Sequence, residues 1–335
     1  MSTNLYRCKN QVLFIAIFLL LVVAVLISIC IGKYPISTGE IWDIVMGKPI
    51  DPLTRNVFLT LRLPRTLMAL LAGYGLSVAG SVYQTIFKNP LASPDIVGVS
   101  SGASMGAAFA IVFLNGGTAA IAFSAFAGGV LTVLFLLGLV GIPNNKSIAT
   151  YVLSGIVINA FTQAVIMILK FFADPERQLA SIEFWTMGSF GGITDDKIKA
   201  IIPFYLVGLL GLIVLRWQIT LLSLSDDEGK TLGVRVQYLR CGVLLCATLV
   251  VASTVSITGL ISFVGLIAPH IGRLLLQRNN FKTTVFSGLV GAFILVAADC
   301  LARSISSSEI PISIMTSMIG APFLAYLMSR GKRLS

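Results

Sequence analysis

Apolar runs of helix-spanning length recur along the chain, each closed by a stretch bearing charge, Gly or Pro. They place spans at Val12 to Gly32, Leu63 to Phe87, Ile96 to Leu114, Thr118 to Val140 and Ile148 to Phe172, then Ile198 to Leu215, Leu239 to Ile257, a short one from Gly259 to Ile271, Val285 to Ala302, and Ile312 to Met328. A helix needs about 20 apolar residues to cross a bilayer. Lipid offers backbone groups no partner, and no ten-residue alternation of a closed barrel is present, so all ten spans are predicted helical. The eighth run is half-length and must be buried in protein. Three polar stretches are too long to be turns: residues 33–62, 173–197 and 216–240. The second has room for a surface helix around Ile182 to Phe190.

Ten crossings put both ends of the chain on one side, and that side then carries most of the Lys and Arg, including Arg330, Lys332 and Arg333. Nine crossings would strand that basic tail outside, so the bias of basic residues toward the cytoplasm favours ten, with both termini cytoplasmic. Spans two to five and seven to ten can then form an inverted-topology pair around span six. The stretch 216–240 falls inside, where its length suggests a docking surface. Residues Val12 to Gly32 are too long for a signal peptide and lack a small-residue cleavage site, so they read as an uncleaved span.

Composition strengthens this picture. Of 335 residues, 56% are apolar and 11% charged, against roughly 25% charge in a soluble domain; the mean hydropathy is +0.93. The expected fold class is an all-α polytopic membrane protein formed by a single transmembrane domain over residues 1–335. The net charge of +10 is spread over short loops as topology requires, which argues against nucleic-acid binding. Cys8, Cys30, Cys241, Cys246 and Cys300 stand at no metal-ligand spacing.

Candidate chemistry is sparse. His270 is the one histidine, so no histidine-based metal cluster forms. Gly98-Val99-Ser100-Ser101-Gly102 fits the nucleophile-elbow pattern, but that motif belongs at a strand-to-helix turn, whereas here small residues in an apolar run read as close helix packing. An intramembrane enzyme is the rival this motif supports. Gly229-Lys230-Thr231 resembles the end of a phosphate loop, yet Leu224 stands where its first glycine belongs. An active transporter of this sequence therefore takes its energy from another subunit. Asp299 and Lys170 are the plausible intramembrane charges, fewer than an ion-coupled carrier needs. Asp299 precedes Arg303 by four residues, which gives either a structural pair near the rim or an Arg303 held pointing outward. On span five, Gly155, Asn159, Thr162, Gln163 and Ile166 share one face, expected either to line a translocation path or to bond neighbouring helices.

Several segments together resemble a known family. Arg62-Leu63-Pro64-Arg65, Asn89 to Ile96 with Gly98, Trp185 to Phe190, Gly259 to His270, Ala298-Asp299 with Ala302-Arg303, Glu309 to Ile312, and Gly320-Ala321-Pro322 are similar, in order, to the permeases of type II ABC importers for ferric siderophores, haem and cobalamin. The resemblance implies ten helices and a multi-pass subunit of the bacterial cytoplasmic membrane without catalytic residues, cofactor or resident metal. Its implied partners are a second permease subunit, identical or related, two cytoplasmic ATPase subunits and an extracytoplasmic binding protein that delivers the chelate. By the same resemblance Arg62, Arg65 and Arg303 dock the binding protein, and Leu222 to Gly233 couples to the ATPase through Leu224, Asp226, Asp227, Glu228, Gly229, Leu232 and Gly233. Ser225 and Gly229 depart from the family's usual Gly and Ala in that loop. Ile148 and Ala149 replace a hydroxyl pair found in the cobalamin permease, which makes a siderophore the expected cargo over cobalamin, with haem or cobalamin as the alternative.

Overall fold

A chain that must satisfy its backbone within hydrocarbon folds into helices, and this one does. The computed structural model describes residues 2–32, 34–114, 117–141, 147–224, 228, 231, 235–305 and 309–331, with side chains from residue 9 to 329 apart from 328. The helices are α1 (Ser2–Cys30), α2 (Thr38–Val45), α3 (Pro52–Asn56), α4 (Leu63–Ile86), α5 (Val99–Phe113), α6 (Thr118–Gly141), α7 (Ile148–Phe172), α8 (Gln178–Met187), α9 (Asp195–Val214), α10 (Arg216–Leu221), α11 (Val236–Thr258), α12 (Val264–Leu276), α13 (Phe281–Ser304) and α14 (Ile312–Gly331). No strand occurs among the described residues. Seven helices are long and apolar enough to cross a membrane, and α5, α12 and α14 are shorter apolar helices.

Local chemistry sets the boundaries. The side chains of Ser147, Thr194 and Asn280 accept from the backbone three residues on and start α7, α9 and α13, which satisfies one orphan donor at each end. Ser37 and Glu40 form a reciprocal capping box on α2, and the two Ser37 bonds hold the Glu40 carboxyl below the usual carboxylate range. Two expected spans shift. The third begins at Val99, because Pro94–Val97 forms a 3-10 turn and Gly98 is left-handed at φ 81°. The eighth begins at Val264, because Gly259 (φ 71°) and Phe263 (φ 67°) interrupt the helix before it. A positive φ at a residue as bulky as Phe is strained. The polar stretch 33–62 is also more ordered than expected: α3 and a π-helical turn, Val57–Arg62, run straight into α4.

The centre of the molecule is α4, flanked by α11 and α13; α4 packs on α13, α12 and α11, while α11 packs on α9, α6 and α5. These seams are made of small residues. A Cβ at Gly80 would overlap the carbonyl oxygen of Gly265, and one at Gly73 would meet the backbone of Gly291 and Ala292. Ser81 and Thr284 share a hydrogen bond of 2.9 Å across the α4–α13 seam. By contrast α1 and α7 leave large apolar faces open, among them Phe18, Leu153, Phe161 and Phe171.

Close approach at Gly80 has a direct test. Gly80→Val should destabilise the purified protein in detergent by about 1–3 kcal/mol or abolish folding, because the new side chain meets backbone. Gly138→Val, at a position with open space, should leave the melting temperature unchanged. Equal melting of both variants would refute the seam.

Candidate functional site

Three arginines meet at one end of the bundle. Helix α1 ends at Cys30, which leaves its last carbonyl oxygens without intrahelical donors. Arg62 Nη1 donates to the carbonyls of Ile29 and Cys30, each at 2.6 Å, and Nη2 to that of Tyr34. Arg303 Nη2 donates to the Ser28 carbonyl at 2.9 Å and to its hydroxyl at 2.8 Å, and Nη1 to Ile31 at 3.3 Å. The Ser28 hydroxyl also bonds Thr66 at 2.8 Å. Two cations thus cap the negative end of α1.

Arg65 does different work. Its Nε and Nη2 reach Asp299 Oδ1 at 3.0 and 2.9 Å, and Nη1 reaches Glu309 Oε1 at 2.5 Å. Asp299 is 1% exposed, and Arg303 Nε lies 3.3 Å from its second oxygen. A carboxylate so buried persists in hydrocarbon only if paired. The network ties α4, α13 and the approach to α14 together, and with Gly191 and Tyr34 it lines an open cleft of about 320 Å³.

Arg62, Arg65 and Arg303 share one rim, and all three guanidinium groups are engaged by carbonyls and carboxylates of this chain. Arg303 is turned toward α1 rather than held outward. Its pairing with Asp299 is present, yet Arg65 is the closer and forked partner. Glu309 carried no expected role, and neither did Ser28; i,i+4 reasoning sees one helix at a time and could not reach partners 234 and 244 residues away. Lys170, the other expected intramembrane charge, pairs with Glu183 of α8 at 2.7 Å.

The polar stripe of α7 meets α5 and the turn before it over part of its length. Gly155 and Thr162 are buried, and a Cβ at Gly155 would overlap the Ile96 carbonyl. Asn159 accepts from Ser101 at 2.6 Å and donates to the Asp95 carbonyl at 2.8 Å. Thr162 bonds the carbonyl of Ile158 in its own helix. Gly155 and Asn159 thus pack on the 3-10 turn and α5, while Asn159 is half-exposed and Gln163 exposed. The loop before α5 brings the Asp95 and Ile96 carbonyls to α7, and Asn159 and Gly155 are the residues that accommodate them. Ser101, from the elbow-like motif, spends its hydroxyl on Asn159 and the Gly98 carbonyl. Of the expected coupling residues, Leu224 and Glu228 are exposed; Asp226, Asp227, Gly229, Leu232 and Gly233 lie outside the described residues.

A bundle with seven membrane-length helices, a buried Asp299 paired with arginine and wide apolar faces is a polytopic membrane protein. The FecCD transport family model matches residues 20–330. The molybdate import system permease protein MolB of Haemophilus influenzae is 38% identical over 327 residues, 94% of each chain. The Fe(3+)-citrate import system permease protein YfmE of Bacillus subtilis is 36% identical over 335 residues, 98% of each. A solved structure described as an inward-facing conformation of a metal-chelate type ABC transporter superposes with a TM-score of 0.84 at 35% identity, covering 95% of this chain and 99% of that one. The chain belongs to the FecCD transport family: it is an ABC importer permease, a transport subunit rather than an enzyme, and a multi-pass protein of the inner membrane.

Two tests follow from the geometry. Arg65→Met leaves Asp299 with a single cation and should cost about 3 kcal/mol of stability, read by thermal unfolding in detergent; adding Asp299→Asn should cost less than the sum of the two single changes. Additive losses would show that the two groups do not interact. Asn159→Leu should cost about 1 kcal/mol, whereas Gln163→Leu should be neutral. The reverse order would restore the lumen-facing reading of the stripe.

Proposed function

We propose that this permease carries an iron chelate of the siderophore class into the cell, with the energy supplied by two cytoplasmic ATPase subunits and the chelate delivered by an extracytoplasmic binding protein. The observation that carries the reading is the full-length similarity to the Fe(3+)-citrate permease together with the fold shared with the metal-chelate type transporter. A molybdate-type oxyanion is the second reading, favoured by the similarity to MolB at 38% identity.

The architecture supports ten crossings with both ends cytoplasmic and an inverted repeat. Helices α4 to α7 have 24, 15, 24 and 25 residues, and α11 to α14 have 23, 13, 24 and 20. Each set has a short second helix entered through a residue of positive φ, Gly98 or Phe263. The packing obeys the same exchange: α4 lies on α13 as α11 lies on α6, and α4 on α12 as α11 on α5. Inverted repeats of this kind are the usual frame of alternating access. The short α12 matches the half-length eighth run that needs protein around it.

A second permease subunit fits the open apolar face of α7, which among the described residues packs chiefly on α5, α6 and the 3-10 turn. The translocation path then runs between the two permeases, where Gln163 of this chain is exposed and Asn159 half-exposed. The binding protein docks over the cleft of Arg62, Arg65, Arg303 and Glu309. The segment Leu222 to Gly233 is the ATPase contact, since motion in the ATPase must pass through a physical contact.

Uptake by a strain lacking its own chelate and molybdate importers, complemented with this permease and its partners, tests the reading. Radioactive iron should accumulate when supplied as a ferric chelate and molybdate should not; the opposite pattern assigns the oxyanion. Deleting Asp226 to Gly229 should leave protein in the membrane while uptake falls to background. Normal uptake by that deletion would refute the coupling assignment.

A further inference from the structure

A cleft of about 660 Å³ opens between the start of α6, the start of α9 and the end of α11. It lies at the same end of the bundle as the arginine cluster, since Ile193 belongs to the buried apolar group that includes Met68, Ala302 and Ile312. Its walls are aromatic. Phe126 and Phe204 meet with ring centroids 4.8 Å apart and planes tilted by 45°, Phe123 is 72% exposed and Phe204 47% exposed. Its mouth is charged, with Lys197, Asp196 and Thr194 at the first turn of α9.

The register gives the depth. Phe204 stands nine residues beyond Asp195 and Phe126 eight beyond Thr118, which at 1.5 Å per residue is about 12–14 Å along the helix axes. The hydrocarbon of one leaflet is about 15 Å thick, half of the bilayer core. The cleft therefore begins at the headgroup level and runs nearly to the midplane, open sideways where acyl chains are the surrounding medium. Water in an aromatic slot of that depth would forfeit its hydrogen bonds.

The mouth selects among headgroups. The Lys197 ammonium donates once, to the Gly192 carbonyl at 2.6 Å, which fixes its position and leaves two of its three donors. Asp195 is engaged by Lys199 at 3.1 Å, whereas Asp196 is exposed beside the cleft. A cation and an anion on adjacent residues complement a zwitterion that carries a phosphate and a primary ammonium. An anionic headgroup would meet the Asp196 carboxylate, and a quaternary ammonium cannot donate to it. We infer that this cleft is a phospholipid seat for phosphatidylethanolamine, with an acyl chain against Phe123, Phe126 and Phe204, the phosphate on Lys197 and the ammonium on Asp196. It goes beyond the transport reading and does not depend on the cargo.

Phe123→Trp in the full chain places a reporter on the exposed wall of the cleft. Reconstituted in phosphatidylcholine vesicles, the added fluorescence, over that of Trp42, Trp185 and Trp217 in the parent, should be quenched by brominated-chain phosphatidylethanolamine. The apparent affinity should exceed that of brominated phosphatidylcholine or phosphatidylglycerol by about fivefold. The combined change Asp196→Asn and Lys197→Gln should erase the preference while quenching persists. Native mass spectrometry of the unmodified protein, extracted from membranes containing all three lipids, should show a retained phosphatidylethanolamine that the doubly changed protein lacks. Quenching independent of headgroup would reduce the cleft to ordinary lipid contact, and no quenching of the introduced indole would mean that protein fills it; either result overturns the proposal, as does a purified parent that retains no phosphatidylethanolamine.

Discussion

Helices surrounded by lipid gain nothing from hydrophobic exclusion when they meet, so cohesion must come from van der Waals contact and hydrogen bonds at short range. Everything central in this molecule follows from that constraint. Gly73, Gly80, Gly265 and Gly291 let α4 approach α12 and α13 until backbone touches backbone, and Ser81 and Thr284 bond across the closed gap. The same logic joins α5 to α6, where a Cβ at Gly102 would overlap the Thr132 side chain and one at Gly128 the Gly102 carbonyl. Many bulky apolar residues are left on the outer faces: Phe123, Phe161 and Phe171 are among the most exposed side chains.

Charge obeys a companion rule. Arg62 and Arg303 occupy the last turn of α1, where carbonyl oxygens would otherwise face low dielectric unpaired. Arg65 holds Asp299 and Glu309 from two different parts of the chain. A network of this kind is worth little as simple attraction, since the desolvation of its members offsets the gain. Its effect is positional. Residues 309–311, which lead into α14, are not helical, and Glu309 on Arg65 ties them to α4, so that any movement of α4 against α13 is felt at the rim.

The repeat-like arrangement brings stability and a capacity to move into one frame. Seams between the two four-helix sets are tight at α4 and α11, while α7 and α14 sit at the periphery with fewer partners. Motion of peripheral helices around a fixed centre is the mode expected where packing is least. The strained Phe263, facing Gly320 of α14, lies where such motion would pass from α12 to α14.

Sequence by itself determined the class of the molecule and most of its helices. Runs of apolar residues fix a spanning helix because hydrocarbon allows no alternative. It also gathered Arg62, Arg65 and Arg303 at one rim, and it supplied the motifs by which family membership is recognised. The tertiary structure decided what those residues touch. A helical face that reads as polar has two uses, and only the tertiary structure brings the Asp95 and Ile96 carbonyls beside Asn159 and Gly155. The starts of α5 and α12 depended on positive φ values at Gly98 and Phe263, a backbone state that no apolar periodicity encodes. Arg65 found its carboxylates more than two hundred residues away, and that pairing exists only after α4 and α13 have packed, because burial is what makes a charge demand a partner.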